Sequence, residues 1–408
     1  MSTAPLLDRR RLVHWRTAIF AFFLLCGLTF ASWASRLPAV KANLGIDDFE
    51  VGMLLLAMGA GSLIGVMSAN VIVVRWGARR GLSVTIVGIA IGFLVTALGV
   101  DTVGSYALAA GGLAFAGFSF GATDVMMNVE AASVEQAFGR TLMPLFHAFF
   151  SLGTVAGAGV GIVMAAWGVS VAWHIGTVAV VWFAITSVAL RFVPRHESAA
   201  ATGEPAPRRE RIAAALAVWR DPRTYAIGAI VLGMAFAEGS ANDWLTIAVV
   251  DGHSESEATG AIFLTVFSVS MTVFRAVGGP IVDRIGRVWT LRALAIAAGV
   301  GLAVFILAPN LPVAFVGVAL WGAGASLGFP LGMSAAADDP AKAAASVSAA
   351  ATIGYVAFLC GPPVLGWISH QIGILPTLWI IVALIAMSGF ASGAARPIAG
   401  STVGAGHH

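Results

Sequence analysis

Apolar residues run along this chain in long blocks, and polar residues are confined to the short gaps between them. A helix that crosses a bilayer needs about 20 mostly apolar residues. Reading the blocks between turn signals predicts twelve such helices, at about 16–37, 50–74, 81–100, 104–132, 142–166, 169–191, 224–250, 258–282, 289–308, 311–336, 344–369 and 373–395. The blocks are too long for strands and lack the alternation of a membrane barrel. The predicted class is an all-α integral membrane protein. The first block follows Arg9, Arg10 and Arg11 and contains "ASWAS" (31–35), so it imitates a secretory leader. It is long enough to span, and further blocks follow, so it reads as an uncleaved helix.

The basic residues give these helices a direction. Of 23 Lys and Arg, 20 fall in the N-terminal tail and in the loops on its side of the membrane. Only Arg36 and Lys41 lie on the other side, and Arg275 interrupts a span. Positive charge accumulates in cytoplasmic loops, so both termini are predicted to be cytoplasmic, in a bacterial inner membrane. The longest loop, 192–223, divides the spans six and six. The predicted organisation is an N-terminal half (1–191), a cytoplasmic linker (192–223) and a C-terminal half (224–408). Within the linker, "RIAAALAVWR" (211–220) reads either as a short helix on the inner leaflet or as a plain tether.

Composition narrows the class further. The chain is 59% hydrophobic and 11% charged, against about 25% charged in a soluble domain. The net charge of +3 does not point to nucleic acid, because the basic residues are dispersed in short loops. Cys26 and Cys360 lie in apolar blocks and read as packing residues. No zinc spacing, phosphate loop or dinucleotide fingerprint appears, so no cofactor and no enzyme activity are expected. Any driving force would come from a proton gradient. The expected partners are a small-molecule substrate, protons and the lipid bilayer, with the chain acting as a monomer.

The two halves echo each other. "GGPIVDRIGR" (278–287) follows the eighth span, and "ANVIVVRWGA" (69–78) follows the second. Asn70, Arg75 and Gly77 stand where Gly279, Arg284 and Gly286 stand, but Val74 occupies the place of Asp283. "GFSFG" (117–121) and "GASLG" (324–328) form a second echo. Both match a hydrolase motif that requires a strand–turn–helix around its serine. Here both lie within apolar helices, where small residues instead allow close helix contact.

Two six-helix halves suit a rocking transporter with its site near the midplane. Gly279, Asp283, Arg284, Gly286 and Arg287 complete a G-x-x-x-D-R-x-G-R loop that resembles the signature of the major facilitator superfamily. The resemblance covers all twelve spans. It implies that these loop charges latch the cytoplasmic side in one state of the cycle. Arg75, Asp283, Arg284 and Arg287 are the gating candidates, and the intact C-half copy is expected to carry more of the latch.

"TDVMMNVEAASVE" (123–135) and "LFHAFFSLG" (145–153) are similar to the fucose–proton symporter branch. That similarity implies that Asp124, four residues before Asn128, handles the proton. It also places His147 where the branch has a polar amide. "WASRLP", "EGSANDWL" and "GYVAFLCGPPVLG" resemble the YbjJ-like group. The fucose branch has an acid in its first span where this chain has Ala34, so fucose itself is not carried over.

Ionisable residues inside spans cost about 2.5–3.5 kcal/mol to insert, which makes them functional candidates. Glu238 and Asp243 lie in the seventh span, and Glu238 and Asn242, four apart, share a helix face. Asp124 has apolar counterparts in the second half (Leu331 to Met333), so it breaks the repeat. Its structural alternative is an interfacial carboxylate paired with Arg75 or Arg140. Glu130 and Glu135 read as solvated near the inner loop. Arg275 binds an acidic group of the substrate, pairs with a carboxylate or snorkels inward. A rise of about 1.5 Å per residue places Glu238 roughly 10 Å deeper, so a simple Glu238–Arg275 pair is not expected. His147, and His174 near the outer end, are packing or site residues. Trp33, Trp244, Trp321 and Tyr355 are candidate stacking surfaces for a sugar ring, with anchoring as the alternative.

Three functions compete. The leading one is proton-coupled symport of a small polar, sugar-like solute, with Asp124, Glu238 and Asp243 as coupling carboxylates. Asn128, His147, Asn242, Trp33, Trp244, Arg275 and Tyr355 are its substrate-side candidates. The second is a proton-coupled exporter of drugs or toxic compounds. Against it, the fifth span lacks the Gly-Pro of drug antiporters, and the Gly-Pro here, Gly361–Pro362, is in the eleventh. The third is a membrane sensor that no longer transports.

Overall fold

The computed structural model describes residues 9–138, 142–194, 217–339 and 342–398. Twelve helices among them are long and apolar enough to cross a membrane. In chain order the helices are α1 (Arg9–Ala34), α2 (Leu37–Leu44), α3 (Asp48–Trp76), α4 (Ala78–Ala97), α5 (Tyr106–Phe138), α6 (Met143–Ala166) and α7 (Val171–Leu190). The second half continues with α8 (Pro222–Ile247), α9 (Glu257–Ile285), α10 (Arg287–Ile306), α11 (Leu311–Ala325), α12 (Gly328–Ala336), α13 (Ala343–Ile372), α14 (Ile374–Thr377) and α15 (Trp379–Ala391).

Local chemistry sets several boundaries. Asp47 caps α3 by accepting from Glu50 N at 2.8 Å, while Glu50 Oε2 accepts from Asp47 N at 3.1 Å. This reciprocal capping satisfies two orphan donors. Ser170, Asp221 and Asn310 cap α7, α8 and α11 with side-chain oxygens. The two echoed turns share one backbone shape: Gly77 has φ 77° and ψ 154°, and Gly286 has φ 78° and ψ 159°. That region is nearly exclusive to glycine.

Three departures from the sequence reading have physical causes. α1 already contains Arg9, seven residues before the predicted 16, because arginine stems can lie along a helix while their heads reach water. The short α2, opened by Pro38 in its first turn, was not predicted. The tenth span, expected as one helix over 311–336, breaks at Ser326–Leu327. Pro330 has no N–H for the Ser326 carbonyl four residues earlier, so the helix cannot run through unchanged.

Packing separates two compact units: Met1–Thr202 with Glu255–Thr265, and Gly203–Ser254 with Val266–His408. In the first unit α1 packs on α6 and α7, and α4 packs on α5 and α7. In the second, α8 packs on α13 and α15, and α10 packs on α11 and α15. These are the same partners shifted by six spans, so the repeat extends to packing. Glycine makes the close approaches possible. A Cβ on Gly117 would lie 2.1 Å from Met58 O, and one on Gly324 would lie 2.2 Å from Ala298 N. Both belong to the G-x-S-x-G echoes, which supports their reading as helix contacts.

The first turns of α9 belong to the first unit. Ala31, Ala34, Ala158 and Leu264 bury together, and Arg36 Nη2 lies 3.9 Å from Glu257. Arg36 is 4% exposed and donates to Val169 O at 2.8 Å. Burial lowers the proton affinity of its guanidinium, and the nearby Glu257 and Asp101 carboxylates partly offset this.

Candidate functional site

In the second unit, the break in the tenth span creates a site. The Ser326 carbonyl, deprived of a helical donor by Pro330, accepts from Arg275 Nε at 2.8 Å. The same guanidinium donates through Nη2 to Glu238 Oε2 at 2.7 Å. Arg275 of α9 is thus fixed to α8 and to the broken span. The sequence reading placed Glu238 too deep for this pair, and the structure corrects it. Axial depth along ideal helices ignores the reach of the arginine stem and the tilt of real spans. Both side chains are half-buried, at 30% and 20% exposure, so the pair stays accessible while the charges neutralise each other.

Other candidates lie on the same helix. Asn242 and Asp243 are half-buried, and Trp244 is fully buried with no partner for its indole N–H among the described residues. Trp321 is also fully buried and donates to Ala237 O at 3.0 Å, tying α11 to α8 just before Glu238. Tyr355 on α13 is 48% exposed. Of the aromatic candidates in this unit, Tyr355 therefore presents an open face, and both tryptophans serve packing in this conformation.

The first unit holds its acids differently. Asp124 is exposed, although Ala122, Thr123, Met126 and Met127 around it are buried. Asn128, one turn on, donates to the Asp124 carbonyl at 2.9 Å and to its Oδ1 at 3.3 Å. The i,i+4 spacing produces this contact directly. Among the described residues no cation pairs with Asp124; Arg75 is exposed and without an ion pair, and Arg140 lies outside the described residues. His147 is exposed and meets the Phe23 ring edge-on at 5.1 Å. His174 and Trp33 are buried.

Glu130 corrects another expectation. Instead of being solvated it is 3% exposed, and it accepts from Trp15 Nε1 at 3.0 Å. The donor is 115 residues away on α1, so helix position alone gave no signal of it. Glu135 accepts from Leu142 N at 2.6 Å, spanning the loop after α5.

At the other end of α9, the signature loop has split roles. Arg287 Nη1 donates to both oxygens of Asp338 at 3.0 Å. Arg223 Nη2 donates to Asp338 Oδ2 at 2.9 Å, while its Nε donates to Ala394 O at 3.0 Å. The Asp338 side chain is only 2% exposed. Asp283 and Arg284 are exposed and make no ion pair among the described residues. Asp338 escaped the sequence reading because it sits at the frayed end of an apolar block, where acids are ordinarily solvated. The linker helix expected at 211–220 lies outside the described residues except for 217–220.

Comparisons with known proteins agree with this architecture. An uncharacterized MFS-type transporter of Yersinia pestis is 29% identical over 374 residues, covering 91% of this chain and 92% of that protein. The uncharacterized transporter y4wD of Sinorhizobium fredii is 30% identical over 368 residues, covering 89% and 93%. Among solved structures, the nucleoside transporter NupG matches with TM-score 0.71 at 16% identity, over 94% of this chain and 98% of that one. FucP in its outward conformation matches with TM-score 0.65 at 16% identity, over 95% and 100%. These structures show the shared fold. A family model for the Major Facilitator Superfamily matches residues 17–362, and this multi-pass membrane protein belongs to that transporter superfamily.

Proposed function

We propose that this protein is a proton-coupled symporter that carries a small polar, sugar-like solute across the bacterial inner membrane by alternating access, with both termini in the cytoplasm. The carrying observation is the Asp124–Asn128 pair. It presents an open carboxylate, hydrogen-bonded to an amide and free of any described cation, among the buried residues Ala122, Thr123, Met126 and Met127. Such a group can take a proton without first breaking an ion pair. Protonation removes its charge and with it the penalty for closing the site. A membrane potential adds about 2.3 kcal/mol per charge per 100 mV to inward proton movement.

The second half has the complementary chemistry. Arg275, held by Glu238 and Ser326, offers a fixed cationic fork, and Asn242 and Tyr355 add hydrogen-bonding groups on the same unit. His147 and Asn128 do the same in the first. A solute rich in hydroxyls suits this mixture of neutral and charge-balanced donors. A related fold in the E. coli fucose:proton symporter supports the reading. Ala34 and the buried Trp33 argue against fucose as the solute.

Proteoliposomes loaded with a pH dye test the proposal. Adding candidate sugars outside should acidify the interior, and Asp124→Asn should abolish the response. Unchanged acidification in Asp124→Asn rejects this carboxylate as the proton carrier. Internal alkalinisation on adding lipophilic cations replaces symport with export. A solute that binds without flux leaves only a sensor.

A further inference from the structure

Asp243 lies five residues beyond Glu238 and therefore on a different side of α8 from the arginine pair. It lines a small void with Ser240, Gly239, Phe358, Gly361 and Pro362. To a water-sized sphere the void measures about 10 Å³, at the lower limit for a single water. Ser240 is 3% exposed. Neither its hydroxyl nor the Asp243 carboxylate makes a hydrogen bond or ion pair with any described residue.

The opposite wall supplies more oxygen. Pro362 and Pro363 lie inside α13, which runs through them, and have no N–H, so the carbonyls of Phe358 and Leu359, four residues earlier, lose their helical donors. The tenth span has the same defect at Pro330, where Arg275 satisfies the freed Ser326 carbonyl. No described side chain does this on α13. The void is therefore lined by residues carrying a carboxylate and a hydroxyl, and by Phe358, whose carbonyl has lost its helical donor, with no described donor bonded to any of them.

Charge balance is also missing. The helices packed against α8 are α11, α12, α13 and α15, and none of them contains Lys, Arg, Asp or Glu. The other titratable side chains on α13 are Tyr355, Cys360 and His370, and Asp251 follows α8. Arg275 is taken by Glu238, and Arg223 by Asp338. A half-buried carboxylate inside a spanning helix and without a countercharge acquires one or takes a proton. Hard oxygen donors around one negative charge suit a monovalent metal cation, because a divalent ion would leave the site charged.

We propose that Asp243, Ser240 and the freed Phe358 carbonyl bind a dehydrated cation of sodium's size in the wall of the second unit. A void that barely admits a water-sized sphere, close to potassium in radius, favours the smaller ion, and carbonyls without helical donors inside spanning segments are where such cations coordinate. This extends the proposed function, since it gives Asp243 a different ion from the proton at Asp124, and it rests on the carboxylates serving ion coupling.

Thermal unfolding of the purified full chain tests the site. Melting is compared in NaCl, KCl and choline chloride at equal ionic strength, at pH 8 and pH 6. NaCl should raise the midpoint above both other salts at pH 8, and by less at pH 6, where protons compete. Ser240→Ala should raise the half-effective NaCl concentration about tenfold, the loss of one polar ligand. Asp243→Asn should abolish the effect, and Asp124→Asn should preserve it. If Asp243→Asn fails to fold, Ser240→Ala carries the test. Equal melting in all three salts at pH 8, an equal effect of KCl, or an unchanged NaCl dependence in Ser240→Ala overturns the site. Loss of sugar-driven acidification with the NaCl effect intact rejects proton symport and leaves the site standing. The reverse pattern rejects the site alone.

Discussion

The turns after α3 and α9 hold their glycines in nearly identical backbone shapes, yet only the second is tied down by an ion pair among the described residues. Arg75 projects into the open and forms no ion pair among the described residues. Arg284, its counterpart in the second copy, is likewise exposed and unpaired among the described residues, but that copy adds Arg287, where the first has Ala78, and Arg287 reaches a buried carboxylate that Arg223 also grips. The acid that receives them, Asp338, comes from the end of the tenth span rather than from the loop itself. The corresponding acids of the fourth span are used otherwise, with Glu130 bound to Trp15 and Glu135 to the loop after α5. A repeated motif thus preserves a bend while one copy adds a paired charge that the other lacks.

The contrast can be broken most forcefully at Asp338. Asp338→Asn leaves two arginines facing a neutral amide in a buried pocket. It should destabilise the second half by about 3–5 kcal/mol, read as a lower melting midpoint in detergent. A midpoint within error of wild type would show that the double ion pair is not structural.

The Glu238–Arg275 pair should matter less, because both side chains are partly exposed. Glu238→Gln should cost on the order of 2 kcal/mol. Adding Arg275→Gln to it should cost less than the two single changes summed, since they share one contact. Strict additivity in that cycle would mean that the contact carries no coupling.

The smallest effect belongs to the worn copy. Arg75→Ala should change stability by less than about 0.5 kcal/mol. A loss comparable to that of Asp338→Asn would mean that the first-half loop is engaged as tightly as the second, and the contrast would disappear.

Much of the architecture was readable before any coordinates. Hydrophobic blocks gave twelve spans, and helices sit on all twelve, with ends displaced by a few residues. The echo between positions 75 and 284 was visible as spacing and reappears as matched glycine geometry. The Asp124–Asn128 contact was visible too, because residues four apart meet on any helix. The Arg275–Glu238 pair was missed. It depends on two helices far apart in sequence and on a break at Ser326 that lets the guanidinium satisfy a carbonyl and a carboxylate together. Glu130 was misplaced for a related reason: an acid near a span end has no sequence mark that tells whether water or a distant tryptophan receives it.

The sequence by itself determined the number of spans, their apolar character, the doubling of the chain and the short-range contacts within each helix. Those follow from constraints that act on consecutive residues: the thickness of a bilayer, the helical repeat and the missing N–H of proline. Only the tertiary structure decided which buried charges neutralise one another, which aromatic rings are covered and which freed carbonyls find a donor. Those outcomes depend on the approach of helices 37 to 115 residues apart, where a shift of a few ångströms separates a paired charge from a bare one.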